Sequence, residues 1–524
     1  MRLPKLKWLR VAVAIAFLAS TSVLFLDFRG IGTKDYVDGV LFLQFVPSLL
    51  SFLKDASLGA TGFLVVLGVT ALFGRVYCST VCPFGTLQDI ISRIASPRRR
   101  GFAFSKPHNT LRYAILGLTV LVFLGGSGLL VNLLDPFSNF GRILTNIIRP
   151  VVLAVNNAVA PVFEAVGAHT LYRVRWPTVA PASVGVAATM LLVAGWLSTR
   201  NGRLYCNTLC PVGALLGLIS RASPIQIRLA GGTCRECGKC ERVCKAGCID
   251  FERKSVDVSR CVACYNCLSA CPDNALQLGT APRKTSRSKE VASGRRTFLI
   301  GLATGTLSLT TTTAKAALPP GFVPSRPTTI PENRSCPASP PGSISIKHFT
   351  SRCTACHLCV SACPSGVLVP SLSDYGLHNI MQPQMGFSSA HCNFDCTICS
   401  QICPSGAILP LTKEQKQRTQ IGKAHFIKKN CVVYTDNTNC GACSEHCPTK
   451  AVHMVPYQTV NGRKLVIPEV NQKICVGCGG CEHACPTRPY RAIYVDGNPV
   501  HERAEKPIIK KLEPAPHLEE DFPF

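Results

Sequence analysis

The chain has 524 residues, of which 47% are apolar and only 16% charged. That composition excludes a wholly water-soluble protein and requires some of the chain to lie in a bilayer. The formal charge is +27, yet lysine and arginine gather beside apolar runs and no base-reading motif accompanies them. The excess therefore reads as the positive-inside pattern of a membrane protein, and nucleic acid is excluded as a partner.

Met1 to Arg10 is short and basic, and the apolar run from Trp8 to Leu26 is long enough to span, which places the N-terminus in the cytoplasm. Further spans are predicted at Leu58–Phe73, Leu111–Leu134, Val179–Ser198 and Thr297–Leu318. The connections agree: Arg75, Arg93, Arg98, Arg99, Arg100 and Lys106 crowd the second, whereas the first holds only Arg29, Lys34 and Lys54. Five spans put the C-terminus outside. Val37–Leu53, broken by Pro47, and Ile143–Leu171 are too apolar for plain loops and are expected to be interfacial or re-entrant helices. They shape either a pocket for a lipid-soluble quinol, with Asp38, Asp135, Glu164 or His169 as candidate proton acceptors, or a simple helical cap with solvated charges. His108 and His169 are the sole histidines before His348 and flank the spans, so bis-histidine haem ligation is not available.

Gly74-Arg75-Val76-Tyr77-Cys78-x3-Cys82-Pro83-Phe84-Gly85 follows the second span, and Gly202-Arg203-Leu204-Tyr205-Cys206-x3-Cys210-Pro211-Val212-Gly213 follows the fourth. The match is an internal repeat of a two-span unit. Cys78, Cys82, Cys206 and Cys210 are candidates for one shared metal or iron-sulfur site; a redox-active thiol pair and structural reuse are the competing readings.

Cys234-x2-Cys237-x2-Cys240-x3-Cys244 and Cys261-x2-Cys264-x2-Cys267-x3-Cys271 come next. This is two-cluster ferredoxin spacing, in which three cysteines on one loop bind one cluster and the fourth crosses to the other. Cys234, Cys237, Cys240 and Cys271 thus form one [4Fe-4S] ligand set, and Cys261, Cys264, Cys267 and Cys244 the second. Zinc normally takes two separated Cys-x2-Cys pairs and fits poorly. Cys248 stands where the second motif has Ala275 and is read as packing beside a cluster.

Residues 281 to 294 form a basic linker. Arg295-Arg296-Thr297-Phe298-Leu299 then opens an apolar run ending at Ala314-Lys315-Ala316, which reads as a twin-arginine export signal placed mid-chain, with an ordinary span as the alternative. Beyond a proline-rich approach lie four more groups: Cys353, Cys356, Cys359 and Cys363; Cys392, Cys396, Cys399 and Cys403; Cys431, Cys440, Cys443 and Cys447; and Cys475, Cys478, Cys481 and Cys485. Each ends in Cys-Pro, and together they supply ligands for four [4Fe-4S] clusters. Spacing leaves open whether neighbouring groups pair or the first nests with the fourth. Cys336 belongs to no group.

The expected architecture is an α-helical membrane domain (1–203), a cytoplasmic ferredoxin-like α+β module with two clusters (204–280), a linker with the signal and fifth span (281–318), a periplasmic ferredoxin-like module with four clusters (319–500) and a flexible tail (501–524).

The paired Gly-Arg-x-Tyr-Cys-x3-Cys-Pro-x-Gly motifs, the four spans and the Cys234–Cys271 pair resemble the NapH family of membrane quinol dehydrogenase subunits. From Arg295 onward, the signal, Pro340-Pro341-Gly342 and the four cysteine groups resemble the NapG/MauM ferredoxin family. The resemblance implies a fusion of two subunits that oxidises quinol at the bacterial inner membrane and passes electrons to a periplasmic reductase or c-type cytochrome. Lys245, where most of the motifs have proline, departs from the pattern. The rival class is a membrane ferredoxin that supports maturation or regulation of another metalloenzyme. Neither a flavin, a nucleotide nor a molybdopterin motif is present, so terminal substrate reduction belongs to another protein.

Overall fold

The computed structural model describes residues 3–27, 34–53, 61–95, 101–167, 171–174, 176, 180–229, 234–280, 327–460 and 463–506. The basic linker, the twin-arginine motif, the expected fifth span and most of the tail lie outside them.

Three described helices are long and apolar enough to cross a membrane: Lys5–Leu26, Pro136–Ala165 and Pro181–Asn201. The first turns Ala14, Thr21, Leu24 and Phe25 inward and leaves Trp8, Leu9, Ile15 and Val23 exposed, the division expected of a helix packed on one side and facing lipid on the other. Two expected spans are shorter than the sequence suggested. Gly62–Phe73 and Asn109–Leu124 are apolar helices of 12 and 16 residues. The second stops at Gly125-Gly126, where Gly126 takes a φ of +85°, before the short helix Leu129–Leu134 resumes.

Residues 143 to 165 belong to the 30-residue helical run Pro136–Ala165. Asp135 caps that run by accepting from the Ser138 amide at 2.8 Å, with Pro136 in the first turn. A π-helical stretch, Leu144–Ile148, carries the chain past Pro150, which has no amide hydrogen to offer. The asparagines that depress its hydropathy are bonded: Asn156 donates to the Tyr172 carbonyl at 3.0 Å and Asn157 to the Val174 carbonyl at 2.8 Å.

The two cysteine-rich modules sit at opposite ends of the Leu3–Leu26 helix. Near its start, Arg10 donates to the Ser79 carbonyl and to Asp89, and the helix meets Asn266–Ala270 of the two-quartet module. Near its end, Phe25 packs on Phe137 and Phe140, beside Leu358–Ala362 of the four-quartet module. Fifteen residues separate Arg10 from Phe25, which is about 22 Å at 1.5 Å per residue.

The first strand of the two-quartet module, Ile225–Leu229, pairs antiparallel with Leu276–Thr280, and Ile249–Asp250 with Ser255–Val256. Leu204–Thr208 and Pro211–Ile219 are helical, and their Tyr205, Cys206, Cys210 and Leu216 are buried in one core with Cys244, Ile249 and Leu276 of the module. In the four-quartet module three antiparallel pairs frame the cysteines: Leu368–Pro370 with Pro383–Met385, Thr419–Phe426 with Ile493–Arg503, and Val452–Val460 with Arg463–Val470. Glu502 and Arg503 lie opposite Gln420 and Thr419, so ordered structure extends past the expected boundary at 500.

Candidate functional site

A backbone device recurs in the four regular Cys-x2-Cys-x2-Cys loops. The residues two and four places after the first cysteine are left-handed: Glu236 and Gly238, Ala263 and Tyr265, Ala355 and His357, Gly477 and Gly479, with φ between 50° and 78°. Alternating right- and left-handed residues turn successive amides inward, forming a concave nest for an anionic group. Amide-to-sulfur contacts match, with Ala355 donating to Cys353 Sγ at 3.4 Å and Ala451 to Cys447 Sγ at 3.2 Å. This is the cradle that a cluster carrying anionic sulfurs requires.

The structure brings cysteines of neighbouring groups together. Cys244, Cys261, Cys264 and Cys267 line one small apolar cavity. Cys234 and Cys237 act electrostatically on Cys240 in the neighbouring set. In the larger module, Cys363 joins Cys392, Cys396 and Cys399 around a second cavity, and Cys485 joins Cys431, Cys440 and Cys443 around a third. By the same exchange Cys403 completes the set of Cys353, Cys356 and Cys359, and Cys447 that of Cys475, Cys478 and Cys481. Neighbouring groups therefore pair. Among the described residues no three His, Cys, Asp or Glu side chains close on a single metal ion. Three of the sets line small cavities instead. Burial pushes Cys356, Cys443 and Cys478 up to about 12, so these thiols stay protonated until a cationic centre displaces the proton.

The four sets of the larger module form a series. Cys359 feels Cys399 of the next set; Cys478 feels Cys392, whose amide donates to the Cys478 carbonyl at 2.9 Å; Cys481 feels Cys443 of the last. Cys248 lies 3.5 Å from Cys244 on the wall of its cavity. Cys336 stands apart, its amide bonded to Asp496.

Sequence reasoning missed His357, which is hidden among the spacer residues of the first outer loop. It is buried; burial depresses it to about 3, so the ring is neutral. Nε2 donates to the Met381 carbonyl at 2.8 Å and Nδ1 accepts from Asn146 at 3.0 Å, while Asn146 accepts from Ser183 at 2.8 Å. This chain of bonds ties two membrane helices to the loop bearing Cys356 and Cys359.

Beside that joint lies a cleft of about 560 Å³. Leu24, Val37, Leu153 and Trp176 line its membrane side, and Leu358, Cys363, Pro364 and Ile402 its module side. Asp27 and Arg149 are among its polar groups. Asp38, Asp135 and Glu164, considered as proton acceptors from sequence, do not line it. Asp38 and Glu164 are exposed, Asp135 is buried capping its helix, and His169 lies outside the described residues.

The paired Cys-x3-Cys-Pro motifs meet across the two repeats. Arg75 donates to the Cys206 carbonyl at 3.0 Å, and Arg203 reciprocates to the Cys78 carbonyl at 2.6 Å. A Cβ on Gly85 would strike Arg203 and the Cys78 carbonyl; one on Gly213 would strike Arg75 and the Cys206 carbonyl. Asp89 anchors the arrangement, held by Arg203 at 2.8 Å and by Arg10 and Lys245 at 3.4 Å.

Comparison with known proteins agrees with this geometry. A 4Fe-4S binding domain model matches residues 57–102 and 183–229, a second matches 254–277, and 4Fe-4S dicluster domain models match 352–408 and 438–488. The chain is thus an iron-sulfur electron-transfer protein of ferredoxin type. It is similar to the ferredoxin-type protein NapH of Escherichia coli K12, at 25% identity over 50% of this chain and 78% of the relative. It is similar also to the methylamine utilization ferredoxin-type protein MauM of Paracoccus denitrificans, at 31% identity over 26% and 62%. The putative electron transport protein YccM of E. coli K12 is 26% identical over 39% of this chain and half of its own length. The resemblance to NapH-type and MauM-type proteins read from the motifs is thereby confirmed. No solved structure matches the chain.

Proposed function

We propose that the protein oxidises membrane quinol in the cleft and delivers the electrons through the four-quartet module to a periplasmic reductase or c-type cytochrome. The observation that carries this reading is the wall the cleft shares: Leu153 and Val37 come from the membrane domain, and Cys363, a ligand of the second thiol set, faces them. Quinol oxidation releases two protons and two electrons. Bound iron-sulfur clusters supply one-electron acceptance, so two of them take what one quinol gives. The chain's residues do the rest. Leu24, Val37, Leu153 and Ile402 hold the ring and tail in an apolar seat, and Asp27 is the acidic lining group placed to take a proton. The series of thiol sets leads from the cleft to the far end of the module, where Cys431 and Cys485 lie.

The reading puts the chain in the bacterial inner membrane with several spans, its two-quartet module in the cytoplasm and residues 327 to 506 in the periplasm. Basic Arg10 and Lys245 at the two-quartet end support this orientation. Six complete quartets hold about 24 iron atoms at four per quartet.

The test is anaerobic addition of a menaquinol analogue to the full chain, followed by EPR. Gln401→Trp projects bulk into the cleft from an exposed position, and Leu153→Trp from a buried one. The reading expects reduction in the wild type and a loss of at least tenfold in rate in both variants with iron content unchanged. Unaltered rates in both variants would place quinol elsewhere. Clusters left oxidised by every quinol, in a protein that still supports maturation of another enzyme in cells, would favour the assembly class.

A further inference from the structure

The cleft is apolar along much of its wall, yet one stretch of that wall is built from buried polar side chains. Thr145, Asn146 and Arg149 line it from the Pro136–Ala165 run, together with Leu153. Thr145, Arg149 and Leu153 are spaced by four, so they share one helical face. Thr145 and Asn146 lie in the π-helical stretch Leu144–Ile148, a helix form that recurs at functional sites. Asn146 is already committed, to His357 at 3.0 Å and to Ser183 at 2.8 Å.

Its two neighbours on that wall are different. Thr145 is 8% exposed and Arg149 9%, and neither Thr145 Oγ1 nor Arg149 Nε has a hydrogen-bond partner among the described residues. A buried polar atom left unpaired is costly, and a buried cation more so, unless a ligand supplies the acceptor. A seat for an apolar ring and tail does not explain two orphaned donors one turn apart. Asp27 and Cys363 line the same cleft, and both act electrostatically on Arg149. A further part of the wall is fixed to the same helix: Asn157 bonds to both the amide and the carbonyl of Val174 at 2.8 Å.

We propose that Thr145 and Arg149 hold one ring oxygen of the quinol, and that Arg149 balances the negative charge left on that oxygen when its proton goes to Asp27. Thr145 donates its hydroxyl and Arg149 its Nε–H, so a single ligand oxygen satisfies both orphaned atoms. One quinol O–H bond breaks, the proton passes to the Asp27 carboxylate, and the oxygen keeps the electron pair. Charge is conserved in the cleft: one anion replaces another, and the guanidinium faces an anion before and after. Cys363 lines the same cleft, so the anionic ring is held beside the second thiol set. The proposal rests on the quinol reading and adds what the site selects: a ring bearing an acidic hydroxyl, rather than any apolar ring and chain.

Binding of a heptyl-hydroxyquinoline N-oxide to the full-length protein, read from quenching of the ligand's own fluorescence, tests it without turnover. The control ligand is the heptylquinoline that lacks both oxygens but keeps the ring and chain. The wild type is expected to prefer the oxygenated ligand by about tenfold, as a charge-assisted hydrogen bond provides. Arg149→Gln should abolish that preference and leave affinity for the control ligand unchanged, and Arg149→Lys, which keeps the charge, should restore part of it. Thr145→Val preserves the shape of the side chain and should lower the preference about threefold. Iron content and EPR signals equal to those of the wild type show that a variant has folded. A preference unchanged in both Arg149→Gln and Thr145→Val overturns the proposal. Equal loss of both ligands also overturns it, because Arg149 would then only shape the cleft. Displacement of the bound N-oxide by phosphatidylglycerol and not by menaquinol would assign the pair to a lipid phosphate and overturn it too. A wild type that binds neither the N-oxide nor menaquinol refutes the quinol reading itself and this proposal with it, so the two failures give different results.

Discussion

Asp89 is where the repeats, the first helix and the two-quartet module are pinned together, and Asp89→Asn should loosen all of them. Its carboxylate meets Arg203 at 2.8 Å and both Arg10 and Lys245 at 3.4 Å, with a side chain only 11% exposed. Removing one partner of a buried ion pair costs about 3–5 kcal/mol, because the remaining charge stays buried and unpaired. Residual exposure of Asp89 argues for the lower end, about 3 kcal/mol. The neighbouring cations, Arg203 first among them, hold the carboxyl far below the usual carboxylate range in spite of its burial. A depressed pKa contributes stability that is complete above the unfolded value of about 3.9 and is lost only as pH falls below it. The deficit of Asp89→Asn is therefore predicted to be constant from pH 5 to 8. Reversible unfolding in mixed micelles by SDS titration measures it. A deficit within about 0.5 kcal/mol of zero, the usual range for exposed sites, or one that fades toward pH 5, would refute the pinning argument.

Gly477→Ala should destabilise the larger module, because Gly477 has a φ of +72° and a Cβ there would lie 2.6 Å from the Gly422 backbone. The left-handed conformation alone costs about 1–3 kcal/mol, and iron loss should be centred on the Cys447–Cys475 set. Glu482 is buried, accepting from Arg334 at 2.6 Å and from the Val495 amide at 2.8 Å. Glu482→Ala strands that amide, and denaturant unfolding should register a loss of about 1–3 kcal/mol. Cys485→Ser should erase the EPR signal shared with Cys431, Cys440 and Cys443; loss of the Cys475–Cys481 signal in its place would contradict the exchanged pairing.

What could be read from the chain and what could not divide along the range of the interactions. The quartets were legible because three ligands of each sit within a few residues, so spacing nearly dictates the loop. The exchange of Cys363, Cys403, Cys447 and Cys485 between groups was not, since it depends on strands such as Thr419–Phe426 and Ile493–Arg503 meeting across long separations. The repeat announced that Cys78 and Cys206 had equivalent roles, but their meeting depends on Arg75 and Arg203 crossing between halves. Asn156 and Asn157 interrupt the apolar run in the sequence, and only the fold shows that each is bonded within it. His357 gave no signal, being one spacer among many.

The most direct measurement of the central claim is rapid freeze-quench EPR of the full chain mixed anaerobically with a menaquinol analogue, with each signal assigned beforehand by single cysteine-to-serine variants. The cleft is walled by Cys363, so signals of the Cys363–Cys399 set and its neighbour bearing Cys353 should appear first and those of the Cys431–Cys485 set last. First reduction at the Cys431–Cys485 set or in the two-quartet module, or no reduction by any quinol, would contradict it.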